Sequence, residues 1–375
     1  MSTPKWRVPI AEPLFDDAEE KAVADVMDSG RITAGERVAE FEEKIASFLG
    51  RKYGVACSSG TCANELMIMA LTHPNSASML ERKPLFQCAV PACTSVAVTN
   101  PLLYAGVRPV FYDLDAKLCM AEAKYQEHLV LNVHAYGSVP SDFGTIINYC
   151  NATKKVMLED TCVALGSEYF GRKLGTFGVA SSLSFYANKL LTVGEGGMVV
   201  TDEDHVAEYC RQYRNHGRKK STYHEEWYYH QLGRNAKLTD IEAAIGLAQF
   251  EKINRFIDAR KKIGQYLYDR LKDVAGLMMY RPSLHEVPWT FWIVDLMKER
   301  RNMPAISMTL QKEYGIETRP MLPVLPKLPI YRMDGSFPVG EASQNGFMVS
   351  CSPAVCERGD VEFLGNSLKT VLDVG

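Results

Sequence analysis

Residues 182–201 read SLSFYANKLLTVGEGGMVVT, and this segment places Lys189 between two strand-like runs, SLSF and GGMVVT. A group of glycines, at positions 194, 196 and 197, separates the lysine from the second run. A lysine amine can bond covalently to a carbonyl compound, and burial or a neighbouring cation makes it more reactive by lowering its pKa. The segment therefore contains either a solvated loop lysine or an amine held for chemistry.

Apolar strand candidates continue on the N-terminal side of this segment. They read YGVAC (53–57), VRPVFYD (107–113), HLVLNVHAY (128–136) and KVMLED (155–160). Helical patterns alternate with them: ERVAEFEEKIASFLG (36–50) has apolar residues at steps of three and four, and Gly50 is placed to end the helix. Apolar strands separated by helices indicate a mostly parallel sheet covered on both faces, so the predicted fold class is α/β.

The pattern changes after about residue 205. A charged and aromatic segment (215–237) precedes a long predicted helix, which begins at a capping box of Thr239 and Glu242 and runs to Leu271. Strand-like and helical segments beyond it indicate a second, smaller unit. We expect a large domain over residues 1–250, including the N-terminal segment, and a smaller α+β domain over residues 251–375.

Composition excludes several classes of function. The 375 residues are 46% hydrophobic and 23% charged, with a net charge of −3, so neither a nucleic-acid surface nor a basic membrane-binding patch is expected. The N-terminus does not resemble a signal peptide, and no apolar run approaches the ~18 residues of a membrane span, so we expect a cytoplasmic protein. The ten cysteines include no C-x-x-C pair, which favours reduced, mostly buried thiols over a metal site.

Two further segments carry candidate chemistry. ACSSGTCANELM (56–67) is a strand, a turn and a helix start, where a glycine and free amides suit a phosphate, although such a turn is more often only a helix cap. KVMLED ends in Glu159 and Asp160, which alone are explained as well by solvated or capping acids. Taken together with Lys189, a phosphate turn and an aspartate are the contacts that a pyridoxal phosphate enzyme needs.

Motifs along nearly the whole chain resemble the DegT-type nucleotide-sugar aminotransferases of the aspartate-aminotransferase fold. They read SGRITAGERVAEFEEKIASFLG, SSGT, LEDTCVALGSEYFGRKLGTFG, SFYANKLLTVGEGGMVVT, EAAIGLAQFEKI and GIETRP. Within that family, ALGSEYFGRKLGTFG and the Asn-Lys pair of SFYANK most resemble perosamine synthases, which aminate C4 of a GDP-4-keto-6-deoxy sugar.

The resemblance implies a cofactor, two substrates and a set of site residues. Pyridoxal 5'-phosphate would bind Lys189, which also moves protons, and Asp160 would face the ring nitrogen. The phosphate would be held by Ser59, Gly60, Thr61 and Ser184, and by Asn235 of the neighbouring subunit, so a homodimer with shared active sites follows. L-Glutamate would donate nitrogen to a nucleotide-diphosphate 4-keto sugar, whose diphosphate would contact Lys237 and Arg319.

The chain departs from the family pattern around the cofactor. Ser95 stands where most members have a ring-stacking aromatic residue, Val163 stands where they have a hydrogen-bonding side chain, and Lys237 replaces an arginine. These differences leave a dTDP- or UDP-linked substrate of the viosamine type, amination at C3, or a regulatory member that binds the cofactor without turnover as alternatives. Relatives that dehydrate at C3 carry histidine in place of the lysine, so Lys189 argues against that reaction.

Overall fold

The computed structural model describes residues 6–72, 86–121, 124–219, 229, 231–297 and 301–374, and its main feature is a seven-stranded sheet. The strands are β1 (Tyr53–Cys57), β2 (Gln87–Pro91), β3 (Arg108–Tyr112), β4 (Leu129–Val133), β5 (Val156–Asp160), β8 (Ala180–Ser184) and β9 (Gly197–Thr201). They lie in the order β1-β9-β8-β5-β4-β2-β3, and β9 alone runs antiparallel to its neighbours. A short hairpin of β6 (Glu168–Tyr169) and β7 (Arg172–Lys173) precedes β8.

Helices accompany this sheet as the alternating pattern predicted. They are α1 (Asp17–Ser29), α2 (Glu36–Leu49), α3 (Gly60–Thr72), α4 (Val96–Tyr104), α5 (Phe143–Ala152), α6 (Asp204–Tyr213), α7 (Asp240–Phe250) and α8 (Ile253–Leu271). The predicted stripe of α2 is buried, and Gly50 ends that helix in the left-handed conformation at φ +79°. Almost all of α3 is buried because it packs against β8, β9, α4 and α6.

The single long helix predicted from Thr239 onward is wrong, because it is broken after Phe250. Its start is as predicted: the Thr239 hydroxyl accepts the N–H of Glu242, whose carboxylate accepts the N–H of Thr239. Lys252 then leaves helical geometry at φ −101°, ψ 4°, and its ammonium group forms salt bridges with Glu19 and Asp16 at the start of α1. Of the preceding charged segment, residues 220–228 and 230 lie outside the described residues.

A second, antiparallel sheet follows α8. It contains β10 (Leu277–Met279), β11 (Thr290–Asp295), β12 (Arg319–Pro320) and β13 (Gly346–Ser350) in the order β10-β11-β13-β12. Its helices are α9 (Met303–Glu313), α10 (Pro338–Ser343), α11 (Pro353–Glu357) and α12 (Val361–Val374), and α12 packs against α8 and α9. Val8 pairs with Ile316, so the N-terminal segment contacts this second unit, and the division at residue 250 stays a prediction.

Membrane spans, metal-binding clusters and cysteines can be judged for the part of the chain that the structure describes. Among the described residues, none of the helices combines the length and apolar character needed to cross a membrane, and no cluster of three or more metal-binding side chains occurs. All ten cysteines are free, and eight of them are buried, as their spacing predicted.

Candidate active site

A cavity of about 360 Å³ lies beyond the carboxyl ends of β1, β4, β5 and β8. Ligands bind at this edge in open α/β sheets, because loops after neighbouring parallel strands converge there. The cavity brings together the following predicted site residues: Ser59, Gly60, Thr61, Ser95, Asp160, Val163, Ser184 and Lys189.

The turn between β1 and α3 is closely packed against β8. The Ser59 hydroxyl accepts the N–H of Cys62, which caps the helix at 3.1 Å. A Cβ atom on Gly60 would lie 2.7 Å from the Cβ of Ser184 and 3.0 Å from the Sγ of Cys162, so only glycine fits. The start of α3 therefore lies beside Ser184, and Ser59, Gly60, Thr61 and Ser184 all line the cavity.

Gly197 explains part of the glycine group after the lysine. It is the first residue of β9, where it pairs with Cys57 and Ser184. A Cβ atom there would lie 2.2 Å from the carbonyl oxygen of Ser59. The glycine thus allows β9 to lie directly against the turn that begins α3.

Asp160 is 4% exposed at the end of β5, and its carboxylate is held by two donors. Oδ1 accepts the N–H of Cys162 at 2.9 Å, and Oδ2 accepts Nδ2 of Asn64 at 2.8 Å. Asn64 lies on α3, is 1% exposed, and in turn accepts the hydroxyl of Ser182 at 2.8 Å. The orientation of the carboxylate is therefore fixed by the turn after β5 and by α3, whose Asn64 is itself held by Ser182 of β8.

Lys189 is half-buried, and its Nζ lies 4.5 Å from the centroid of the Trp289 ring. Burial lowers the pKa of the Lys189 amine below its usual value, and the charge of Arg260 also lowers it, whereas Cys162 and Asp160 act in the opposite direction. Loss of a proton from this amine near neutral pH is thereby made easier. The solvated loop lysine considered for the sequence does not describe this side chain.

An aromatic wall closes one side of the cavity. The ring of Tyr136, after β4, stacks on that of Trp289 at 6.4 Å between centroids and 25° between planes. Tyr136 is buried and has the left-handed φ of +58°, which is uncommon for a residue other than glycine. The backbone N–H of Trp289 donates to the carbonyl oxygen of Tyr136 at 2.9 Å.

Two positions that depart from the family pattern also face the cavity. The exposed Ser95 caps α4, where its hydroxyl accepts the N–H of Ala97 at 3.2 Å. Val163 follows Cys162 in the turn after β5 and is half-buried. The aromatic residues that line the cavity are Tyr136, Tyr186 and Trp289.

Three predicted site residues lie outside the cavity lining. Asn235 is exposed and accepts the Nζ of Lys237 at 2.7 Å. Burial lowers the pKa of Lys237, and the charges of Arg218 and Arg214 do so as well. Arg319 is exposed on β12 and pairs with Glu317 at 2.7 Å. The single chain does not bring these side chains to Lys189.

Sequence reasoning missed four groups that shape the site. They are Asn64, Tyr136, Arg260 and Trp289. A weak signal exists for Asn64, which with Glu65 is one of two polar residues in the largely apolar ANELMIMAL. For Tyr136 and Trp289 no such signal exists, because their contact depends on how the second sheet meets the first.

Pyridoxal phosphate fits the residues present. Hydroxyl groups and the start of α3 supply donors for a phosphate, and the close approach at Gly60 leaves a cradle there that a side chain would fill. Asp160 supplies a fixed carboxylate, and Lys189 supplies an amine whose pKa is lowered chiefly by burial. The donor set matches the phosphate, ring nitrogen and aldehyde of the cofactor.

Comparison with known proteins gives consistent matches over most of the chain. Residues 13–353 match the DegT/DnrJ/EryC1/StrS aminotransferase family. The chain is 30% identical over 339 residues to GDP-perosamine synthase of Escherichia coli O157:H7, which covers 86% of this chain and 87% of that protein. It is 30% identical over 350 residues to dTDP-4-dehydro-2,3,6-trideoxy-D-glucose 4-aminotransferase of Saccharopolyspora spinosa, which covers 88% of each.

A solved structure of E. coli GDP-4-keto-6-deoxy-D-mannose-3-dehydratase with bound hydrated PLP superimposes with a TM-score of 0.88 at 26% identity. The match covers 97% of this chain and 100% of that one. The predicted aspartate-aminotransferase-like fold and the predicted cofactor, pyridoxal phosphate, are confirmed. The resemblance seen in the sequence is therefore confirmed as membership: the chain is an enzyme that belongs to the DegT/DnrJ/EryC1/StrS aminotransferase family.

Proposed function

We propose that this enzyme transfers the amino group of L-glutamate to C4 of a nucleotide-linked 4-keto-6-deoxyhexose. The observation that carries the proposal is the placement of Lys189 in one cavity with Asp160 and the turn that begins α3. Two of the relatives matched above support C4: one is named a GDP-perosamine synthase and the other a 4-aminotransferase acting on a dTDP-linked sugar.

The proposed roles follow from position and chemistry. The groups that bind the phosphate of the cofactor are Ser59, Thr61, Ser184 and the first amides of α3. Gly60 leaves room for the phosphate. Asp160, held by Asn64, faces the ring nitrogen and keeps it protonated. When bound, the cofactor supplies an electron sink for the charge left when a proton leaves carbon.

Lys189 then acts as anchor and as general base and acid. Its lowered pKa, caused mainly by burial, favours the neutral amine that takes a proton from Cα of glutamate. In the second half of the reaction the same amine returns a proton to the sugar carbon that receives nitrogen. One residue serves both directions because the same cavity takes each substrate in turn.

The proposal includes a homodimer in which each active site uses residues of both subunits. Asn235 and Lys237 lie side by side outside the cavity lining, and Asn235 is exposed. Exposed residues in this position are suited to complete the active site of a neighbouring subunit. We propose that Asn235 reaches the phosphate in the partner, and that Lys237 and Arg319 contact the diphosphate of the sugar nucleotide.

The test of the reaction is an assay of the purified enzyme with L-glutamate and GDP-, dTDP- or UDP-linked 4-keto-6-deoxy sugars. We expect 2-oxoglutarate with at least one carrier, and NMR of the product should show nitrogen on C4. Nitrogen on C3 would replace the proposal by the C3 alternative. A visible cofactor band that does not change with glutamate would support the regulatory alternative, and Lys189→Ala serves as the inactive control.

The shared site has its own test, based on mixing inactive variants. Lys189→Ala and Asn235→Ala damage different parts of the same composite site. If the sites are shared, refolding them together in equal amounts should restore about a quarter of wild-type activity, because one intact site forms in each mixed dimer. A monomeric enzyme that is fully active, measured by light scattering at assay concentration, contradicts this part of the proposal.

A further inference from the structure

Arg260, on α8, is a buried cation whose hydrogen bonds all go to backbone carbonyl groups. Its side chain is 3% exposed. Nη2 donates to the carbonyl oxygen of Lys189 at 2.9 Å and to that of Asn188 at 3.1 Å. Nη1 donates to the carbonyl oxygen of Trp289 at 2.8 Å and to that of Pro288 at 3.3 Å. Among the residues that the structure describes, no carboxylate forms a salt bridge with it, and its Nε has no hydrogen-bond partner.

The other buried arginines of the described chain have carboxylate partners. Arg51 pairs with Asp202 at 2.7 Å, and Arg301 pairs with Asp295 at 3.4 Å. Burying a charge without such a partner is costly. Burial lowers the pKa of Arg260 to about 10, so its guanidinium group remains charged at neutral pH. A buried cation without a carboxylate points to a role that needs positive charge at this place.

The four carbonyl groups belong to two loops that both line the cavity. Residues 188–189 follow β8, and residues 288–289 lead into β11. The loops also contact each other directly, since Trp289 Nε1 donates to the carbonyl oxygen of Asn188 at 3.2 Å. Arg260 therefore sets how the lysine lies against the Trp289 ring, which is 4.5 Å from its Nζ.

The charged groups around the amine are few. The carboxylate of Asp160 and the thiol of Cys162 act to raise the pKa of Lys189, against burial and Arg260, which lower it. The other titratable side chains that line the cavity are Tyr136, Tyr186 and Glu195. Arg260 is the cation that acts on this amine from the side of α8.

We propose that Arg260 is a positioning residue for Lys189: its guanidinium fork fixes the backbone that carries the lysine. Its positive charge also acts against protonation of the Lys189 amine. The inference rests on Lys189 being the lysine that binds the cofactor, as proposed above. Lysine at position 260 would keep the charge but not the planar fork that reaches both loops, because its ammonium group is a single point donor.

The first test measures the pKa of the Lys189 amine in the full-length protein without cofactor. Acetylation by acetic anhydride is followed against pH, with mass spectrometry of the peptide that contains Lys189. Arg260→Met should raise this pKa, because a neighbouring positive charge that lowers it is removed. Arg260→Lys keeps the positive charge and should leave this pKa unchanged. The control Arg255→Met should also leave it unchanged, because it removes an exposed charge on α8 that pairs with Glu357 on α11.

The second test uses the holoenzyme and needs no sugar. Stopped-flow absorbance gives the limiting rate and the half-saturating concentration for L-glutamate. Arg260→Lys should lower the limiting rate about tenfold or more, because Lys189 is no longer held in alignment. The half-saturating concentration of L-glutamate should change less than about twofold, because the binding of glutamate is not affected. A wild-type limiting rate in Arg260→Lys, or an unchanged Lys189 pKa in a folded Arg260→Met, overturns the inference.

A third measurement separates failure of this inference from failure of the proposed function. Borohydride reduction of the holoenzyme followed by peptide mapping identifies the lysine that carries the cofactor. A label on another lysine refutes the proposed site itself. A label on Lys189 together with wild-type behaviour of the Arg260 variants refutes the positioning role alone. If Arg260→Met does not fold by circular dichroism, the limiting rate of Arg260→Lys decides.

Discussion

Replacing Glu159 by glutamine should destabilise the fold beneath the active site. Glu159 is fully buried at the end of β5 and accepts four hydrogen bonds. Oε1 accepts Nε2 of His134 at 3.0 Å and the N–H of Gly175 at 2.9 Å. Oε2 accepts the N–H groups of Phe177 and Gly178, both at 2.7 Å. The carboxylate thus holds the turn over residues 175–178 against the strand.

The size of the effect follows from these contacts. With its NH2 group in place of Oε2, the new amide faces two fixed donors, the N–H groups of Phe177 and Gly178. With the NH2 group in place of Oε1, it faces one fixed donor, the N–H of Gly175, because His134 can accept through Nε2 in its other tautomer. Each buried donor left unpaired costs about 1–3 kcal/mol, so Glu159→Gln in its less costly orientation should lower the free energy of unfolding by about 1–3 kcal/mol. The matched control is Glu168→Gln, whose carboxylate is 31% exposed and pairs with Lys173, and it should change stability by less than about 1 kcal/mol.

The same carboxylate gives a pH dependence. Burial alone would raise the pKa of Glu159, but the hydrogen bond and charge of His134 and the backbone N–H groups of Gly178 and Gly175 outweigh it, and the pKa is lowered. A carboxyl group whose pKa is depressed on folding stabilises the protein above its unfolded pKa and loses that contribution as the pH falls through the folded pKa. The wild type should therefore lose stability on acidification below its unfolded value of 4.5, and Glu159→Gln should lose less over that range.

Guanidinium unfolding of the cofactor-free protein at neutral and acidic pH measures both effects. Hydrogen exchange of a peptide covering residues 172–180 adds a local reading, because the amides of the turn should exchange faster once their acceptors are lost. If Glu159→Gln unfolds with the same free energy as Glu168→Gln, and exchange in the turn is unchanged, the assignment of these four hydrogen bonds is refuted.

Two substitutions on α3 test the phosphate turn and the support of the carboxylate. Gly60→Ala would place a methyl group 2.7 Å from the Cβ of Ser184. The affinity for pyridoxal phosphate, measured by absorbance titration, should therefore fall about 10- to 100-fold. An unchanged affinity contradicts the close packing. Asn64→Leu removes the donor to Asp160 and the acceptor of the Ser182 hydroxyl, both at 2.8 Å. Denaturant unfolding should show a loss of about 2–4 kcal/mol, and an unaltered midpoint counts against the bond to Asp160.

The fold was predictable where a short segment carries its own signal. The apolar run before Asp160 is long enough to identify β5, and the capping box at Thr239 identifies the start of α7. Strand β2 was not among the predicted strands: its five residues end in Pro91, and a proline argues against a central strand unless it stands at the end, as it does here. The break after α7 depends on salt bridges to α1, which no local pattern contains.

The candidate site was predictable for residues whose type and neighbours are unusual, and not for residues whose place depends on distant contacts. Lys189, Asp160 and the serine-glycine turn have distinctive types and neighbours. Asn64 lies 96 positions before Asp160 in the chain, and their side chains meet only because α3 packs beside β8. Arg260 lies on the apolar stripe of α8 with Phe256 and Ile263. This position predicts that the side chain is buried, but it does not identify the groups that the side chain contacts.

The environment of Lys189 depends on contact between the two sheets. Trp289 directly precedes β11 of the smaller sheet, yet its ring covers the Nζ of Lys189 and stacks on Tyr136 of the larger unit. Gly137 makes that contact possible: its φ is +90°, and a Cβ atom there would lie 2.0 Å from the carbonyl oxygen of Val287. A side chain at this glycine would force the two backbones apart and carry the indole away from the lysine. Substitutions along this contact should therefore alter the chemistry of Lys189 without touching the cofactor.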